Sequence, residues 1–377
     1  MDLLIILKDN LLPFLAILTA LVFVHEMGHY LVARWNGVRV EVFSVGFGPE
    51  LFGWNDCAGT RWRFSAIPLG GYVKMFGDAD ASSAPGDGLD RMSADERAVS
   101  FHHKRLGQRA AVVAAGPAAN FIFAIVLLAG IYSLVGQRHA PPLISEVTVN
   151  SAAEAAGVLP NDRVVRIGET EIAAFDDLRR IVMQNPGVPL EFEIERERRL
   201  ITLIITPDTV EAENALGNIA AHGRLGVRGV PGERVKHGPL TSIAMATSET
   251  WSMTRQTLEA VGQMFVGARG TEELGGPLRI AQLSGTVADA GWVTAIWFTA
   301  LLSINLGLIN LFPVPVLDGG HLVFYLAEAI LGRPLSERVQ EWAFKVGFTL
   351  VIGLMLFVTW NDIVQLKVIE FFGSLFS

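Results

Sequence analysis

Four stretches of the chain stay apolar for longer than a soluble helix requires. They run over about Leu11–Trp35, Ala110–Val135, Val293–Leu317 and Ala343–Val364. Each is long enough to cross roughly 30 Å of hydrocarbon as a helix. Lys345 interrupts the fourth early, at a place from which lysine can snorkel to the interface. The second carries Ala114, Ala115, Gly116, Ala118 and Ala119, small residues that let helices approach closely. After the first stretch the period changes. Val42–Gly48 and Arg61–Ile67 alternate and are rich in aromatics and glycine, which predicts short strands or hairpins against a protein or membrane face. Gly77–Asp95 reads as a solvated loop.

Leu143–Pro207 predicts a small α+β domain. Its strands are expected over Leu143–Val149, Leu190–Glu195 and Leu200–Thr206, and its short helices over Ser151–Ala156 and Phe175–Gln184. The charged run Glu195–Arg199 reads as a solvated hairpin tip. From Leu240 to Val266 apolar residues recur among polar ones. That pattern fits a helix lying along a membrane surface or a buried core helix.

Composition supports the membrane reading. Of 377 residues 51% are hydrophobic and 18% charged, against about 25% charged in a soluble globule. The net charge of -8 gives no footing for nucleic acid. Cys57 is the lone cysteine, so neither an intramolecular disulfide nor a cysteine zinc site is available. Asp2 and Asp9 spoil a basic leader, so the first apolar segment is expected to be retained. Basic residues flank one end of each span: Arg34 and Arg39, then Lys104, Arg105 and Arg109, then Arg333, Arg338 and Lys345. That bias puts both termini outside the cytoplasm and Gly136–Gly291 on the far side.

Two polar groups stand out against this background. His25-Glu26-Met27-Gly28-His29 sits at the end of the first apolar run. Residues four apart share a helix face, so the two imidazoles can meet one metal, with Glu26 as general base. Hydrogen-bonded interhelical packing is the bland alternative. Far downstream, Asn310-Leu311-Phe312-Pro313-Val314-Pro315-Val316-Leu317-Asp318-Gly319-Gly320-His321 ends the third run with two prolines, which free backbone groups at membrane depth. Asp318 there is either a helix-terminus cap or the third zinc ligand that the His pair lacks. His102, His103 and His321 fall outside the ligand pattern and read as polar surface or supporting groups.

These motifs resemble the site-2 proteases, intramembrane zinc metalloproteases, in particular their bacterial regulator-of-sigma-E type with a single PDZ domain. The likeness covers nearly the whole chain: His25–Tyr30, Gly46–Gly48, Ile67–Met75, Ala115–Pro117 with Asn120, and Asn310–His321. It implies that His25, His29 and Asp318 hold Zn2+ and that Glu26 is the catalytic carboxylate. It also implies that Asn310 engages substrate and that Gly46, Phe47 and Gly48 form a re-entrant hairpin pairing with substrate as an added strand. Ala156–Val165 with Ile167-Gly168 resembles a PDZ signature, with Asn161 where glycine is usual; asparagine tolerates the left-handed angles required. Asp208–Lys236 is too short for a second such domain.

The expected fold is a polytopic α-helical membrane protein with four spans, a membrane-associated β-hairpin region and one α+β PDZ domain. Its segments are a first span (1–36), a cytoplasmic-side hairpin loop (37–109), a second span (110–136), the PDZ domain (137–236), a connecting amphipathic segment (237–291), a third span with the proline motif (292–320), and a loop, fourth span and tail (321–377). The expected activity is hydrolysis of transmembrane protein substrates, such as an anti-sigma factor, in a bacterial inner membrane with the PDZ domain on the periplasmic side. A non-enzymatic PDZ scaffold and a metal transporter are the alternatives. The oligomeric state is left open.

Overall fold

The computed structural model describes residues 7–79, 89–213, 219–266 and 275–365. The chain divides into two units, Met1–Gly130 with Leu240–Ser377, and Ile131–Pro239.

In the first unit, helix α1 (Leu12–Trp35) leads into strands β1 (Val40–Asn55) and β2 (Arg61–Met75), then helix α2 (Leu106–Gly130). After the second unit come α3 (Pro239–Phe265), α4 (Pro277–Asp289), α5 (Trp292–Leu311), α6 (Asp318–Leu331) and α7 (Glu337–Gln365). Among the described residues four helical stretches are long and apolar enough to cross a membrane: Asp9–Trp35, Leu106–Val135, Trp292–Leu311 and Arg338–Val364. The third ends at Leu311, six residues short of the expected Leu317. Pro313 and Pro315 cannot donate the backbone bonds that would continue it, so Phe312 turns extended (φ -62, ψ 144) and Asp318 opens a new helix. Gly320 lets that helix begin hard against the turn, since a Cβ there would lie 2.6 Å from the Pro315 Cα.

Helix α2 packs against α1, α5 and α6. The approach to α1 needs glycine, because a Cβ on Gly28 would lie 2.8 Å from the Ala119 methyl. Where lipid surrounds apolar helices, such close van der Waals fit is what holds them together. Helix α4 is pinned by Asp362 of α7, whose carboxylate accepts the Gly276 (2.8 Å), Leu278 (3.1 Å) and Arg279 (3.2 Å) amides. A negative charge at the helix start satisfies orphan N–H groups and the dipole together. Helix α3 exposes Leu240, Ile243, Trp251 and Leu258 and buries Ser242, Ala246, Thr250 and Thr254. That is the reverse of a helix packed in water.

The hairpin is longer than predicted and folds over itself. Val42–Val45 lies between two stretches of β2, with Phe43 opposite Val73 on one side and Trp62 on the other. Beyond the bulge at Gly46–Gly48, Trp54 opposes Trp62. Asp56 at the turn accepts the Tyr30 hydroxyl and Trp62 indole (both 3.0 Å) and the Ala58 and Thr60 amides (both 2.9 Å). The loop after β2 is not wholly solvated: Asp78 is buried, bonded to the Met75 amide and to His102. Residues 80–88 of that loop lie outside the described residues.

The second unit holds a four-stranded antiparallel sheet in the order Thr170–Glu171, Arg163–Ile167, Leu190–Arg196, Arg199–Ile205. Helix Phe175–Gln184 contributes Leu178 and Val182 to a core built on Val164, Phe192, Ile194 and Ile205. Strand Ile144–Val147 pairs with Val227–Gly229. Each expected element is present within a residue or two. Asn161 is left-handed (φ 73), as its place in the motif required. The charged tip turns at Glu197 and Arg198, both at positive φ. Arg196 differs from the solvated reading: it grips buried Asp162 with two 2.8 Å bonds and also reaches the Gly157 carbonyl.

Candidate metal centre

The His pair and Asp318 converge although His29 and Asp318 stand 289 positions apart in the chain. The Nε2 atoms of His25 and His29 lie 3.3 Å apart, and Asp318 Oδ2 is 3.2 Å from the first and 3.5 Å from the second. One ligand atom from each lies within 4.8 Å of the others, the one such cluster among the described residues. Helical spacing brings the imidazoles together; the proline turn delivers Asp318 at the first position of α6.

The residues around the cluster fit a divalent cation. His29 Nδ1 donates to the Val112 carbonyl at 2.9 Å, and His25 Nδ1 meets the Asn120 side-chain amide at 3.1 Å. Both Nε2 atoms are thereby left for a ligand, the supported-histidine arrangement of zinc sites. A cation on His25 Nε2 puts the proton on Nδ1. The Asn120 amide turned with Oδ1 toward the ring would accept it, and that Oδ1 is otherwise without a partner. Asp318 Oδ2 is buried with no hydrogen bond, although two imidazoles lie within 3.5 Å. An orphaned carboxylate oxygen facing two nitrogen lone pairs suits zinc, which takes N and O donors tetrahedrally.

Steric fit is as tight as the bonding. A Cβ on Gly116 would lie 2.6 Å from His29 Cε1 and 2.9 Å from His25 Cε1, so α2 backs directly onto the rings. Ser303 of α5 holds the Asn120 carbonyl at 2.8 Å. Arg109 of α2 pairs with Glu328 of α6 at 2.6 Å and stacks over Tyr325, tying the helix that carries Asp318 to the helix that backs the histidines.

A cavity of about 250 Å³ opens beside the cluster, lined among others by Glu26, Gly71, Asn310, Asp318 and His321. Glu26 makes no hydrogen bond to a described residue, and its Cγ would lie 3.1 Å from a Cβ on Gly71. Asn310 donates its Nδ2 to the Leu306 carbonyl at 3.0 Å, which leaves its amide oxygen for an occupant. Gly46, Phe47 and Gly48 are not among the lining residues; the hairpin wall is Gly71, Tyr72, Val73 and Met75. Phe47 instead supports that wall, stacking on Tyr72 at 5.9 Å. His321, read as a surface or supporting group, stands on the cavity wall with Tyr325. Sequence reasoning passed over Val112, the steric role of Gly116 and the ring contact of Asn120. An asparagine in an apolar helix was the one available signal for the last.

A helix-borne His pair, a distant carboxylate and a free adjacent glutamate define a zinc-dependent hydrolase of the HExxH class. Residues 13–354 match the model of peptidase family M50. The chain is 48% identical to a candidate zinc metalloprotease of Rhizobium meliloti, over 95% of this chain and 98% of the relative. It is 46% identical to another of Agrobacterium fabrum, over 96% and 97%. It is also 38% identical to metalloprotease MmpA of Caulobacter vibrioides, over 97% and 98%. The chain belongs to peptidase family M50, the site-2 proteases, and is a zinc metalloprotease.

Proposed function

We propose that this zinc metalloprotease works inside a bilayer, cutting transmembrane substrates with His25, His29 and Asp318 as metal ligands and Glu26 as general base. The observation that carries it is the convergence of three ligand atoms within 4.8 Å in a cavity that Glu26 also lines, among helices apolar enough to span. Zinc, when bound, supplies Lewis acidity that activates water and polarises the scissile carbonyl. Glu26, which has no hydrogen-bond partner among the described residues, takes the proton of the attacking water and returns it to the leaving amine. Val112 and Asn120 keep both imidazoles in register by holding their Nδ1 protons.

A transmembrane helix hides its amides in its own hydrogen bonds and must unwind to be cut. The backbone of Gly71–Met75 borders the cavity and pairs on one side with β1, so an unwound segment can add to it as a further strand. The oxygen of Asn310, on the cavity wall, would accept a substrate amide. The apolar outer face of α3 suits a membrane surface. The second unit is read as the single PDZ domain, on the periplasmic side of a bacterial inner membrane, gating substrates of the anti-sigma-factor kind. Its groove of about 560 Å³ between helix Phe175–Gln184 and Gly223–Gly229 is where a peptide would lie. Membership of M50 leaves the scaffold and transporter alternatives without support.

Glu26→Gln tests the central claim. It should keep zinc while cleavage of a transmembrane substrate in detergent falls by at least about 10³-fold, given typical losses for acid–base groups. Turnover near wild type would remove the assignment.

A further inference from the structure

Helix α6 is apolar apart from four side chains, Asp318, His321, Tyr325 and Glu328. At 100° per residue these fall within about 80° of one face. The two ends of the stripe are engaged: Asp318 stands in the ligand cluster and Glu328 pairs with Arg109. The two in the middle make no hydrogen bond to a described residue, yet both line the cavity that holds Glu26. His321 is wedged between the rings of Phe344 (5.4 Å) and Phe324 (6.3 Å). The Tyr325 ring is held by the Arg109 guanidinium 5.0 Å from its centre. Packing thus fixes both side chains, and both border the cavity.

An extended peptide presents backbone groups along two edges. Laid along Gly71–Met75, it satisfies only one of them. On the other edge, carbonyls recur at every second residue, about 6.7 Å apart. His321 and Tyr325 are four residues apart on a helix, about 6 Å along its axis. Away from bulk water, each main-chain group without a partner is costly. We propose that His321 and Tyr325 are substrate-contacting residues that donate hydrogen bonds to alternate carbonyls on the outer edge of an unwound peptide lying along β2. The proposal rests on the protease reading above. Because the ligand is main chain, the contact is indifferent to substrate side chains.

The test uses the full-length protein and its His321→Ala, His321→Gln and Tyr325→Phe variants. Zinc content, thermal unfolding and cleavage of a transmembrane peptide in detergent are measured. Affinity for the same peptide is measured with each change placed on Glu26→Gln. The variants should keep zinc and unfold as the wild type does. His321→Ala should lose about 10- to 100-fold in kcat/KM and Tyr325→Phe about 10-fold, the scale of one lost hydrogen bond each. Affinity on the Glu26→Gln background should fall in parallel, His321→Gln should recover part of the loss, and peptides of different sequence should show the same ratios. Unchanged kcat/KM and affinity with zinc retained would overturn the proposal. So would a loss of zinc matching the loss of activity, which would make the pair supports of the metal. If the wild type cleaves nothing, the protease reading fails, while peptide affinity still decides the contact.

Discussion

Replacing Gly116 with alanine adds one methyl group, and two effects of opposite sign follow. Alanine is the better helix former by about 1 kcal/mol, so α2 taken alone would gain stability. The new Cβ, however, would press on His29 Nε2 itself and lie 2.6 Å from His29 Cε1, where ordinary contact begins at 3.4 Å, so the ring must retreat by at least roughly 0.8 Å. Zinc–nitrogen distances tolerate about 0.2 Å, so coordination is lost before the clash is relieved. Supporting residues that leave the ligands in place already cost 10- to 100-fold in affinity. Gly116→Ala, which moves a proposed ligand, should therefore weaken zinc by more than about 100-fold, or roughly 2.7 kcal/mol. Competition against a chelator of known affinity measures this, with thermal unfolding of the metal-free form as control. An alanine variant that binds zinc like wild type would refute the steric argument.

Asn120→Ala should weaken zinc by about 10- to 100-fold while Asn120→Asp holds it, because His25 Nδ1 needs an acceptor; the same chelator competition decides. Arg196→Ala would take the guanidinium from the buried Asp162 carboxylate and leave it the Leu159 amide, which should cost about 1–3 kcal/mol; thermal unfolding should register it with zinc content unchanged. Asp56→Asn should destabilise the hairpin by about 1–2 kcal/mol, because one amide oxygen cannot accept all four bonds, so either Tyr30 and Trp62 or the Ala58 and Thr60 amides lose their acceptor. Burial pushes the Asp56 carboxyl up, but hydrogen bonds from Trp62, Thr60, Tyr30 and Ala58 outweigh it and hold it below the usual range. Its contribution is therefore present above about pH 4 and fades as the pH drops further, so variant and wild type should converge in acid; an unfolding series across pH 3–7 reads this.

Features that depend on near neighbours were legible in the chain. His25 and His29 share a face because four residues make about one turn, and apolar length alone marks a span. Phe175–Gln184 and the left-handed Asn161 followed from local pattern and turn chemistry. The third span was read too long because hydropathy ignores the missing amides of Pro313 and Pro315. The resemblance points to Gly46–Gly48 as the part of the hairpin that pairs with substrate; which hairpin residues border the cavity, Gly71, Tyr72, Val73 and Met75, follows from strand register, with Phe47 stacked on Tyr72. Arg196 was dismissed with its charged neighbours because its partner, Asp162, lies 34 residues away.

By itself the chain determined which groups were available for chemistry: two imidazoles, a neighbouring carboxylate and a motif that breaks a helix where apolar residues run out. Tertiary structure decided how those groups face one another, because hydrophobic periodicity carries no information about which distant surfaces meet. Only the packing of α2 against α1 and α6 shows why residue 116 has no side chain. The same packing gives His25 an asparagine for support and turns one polar stripe of α6 toward the cavity.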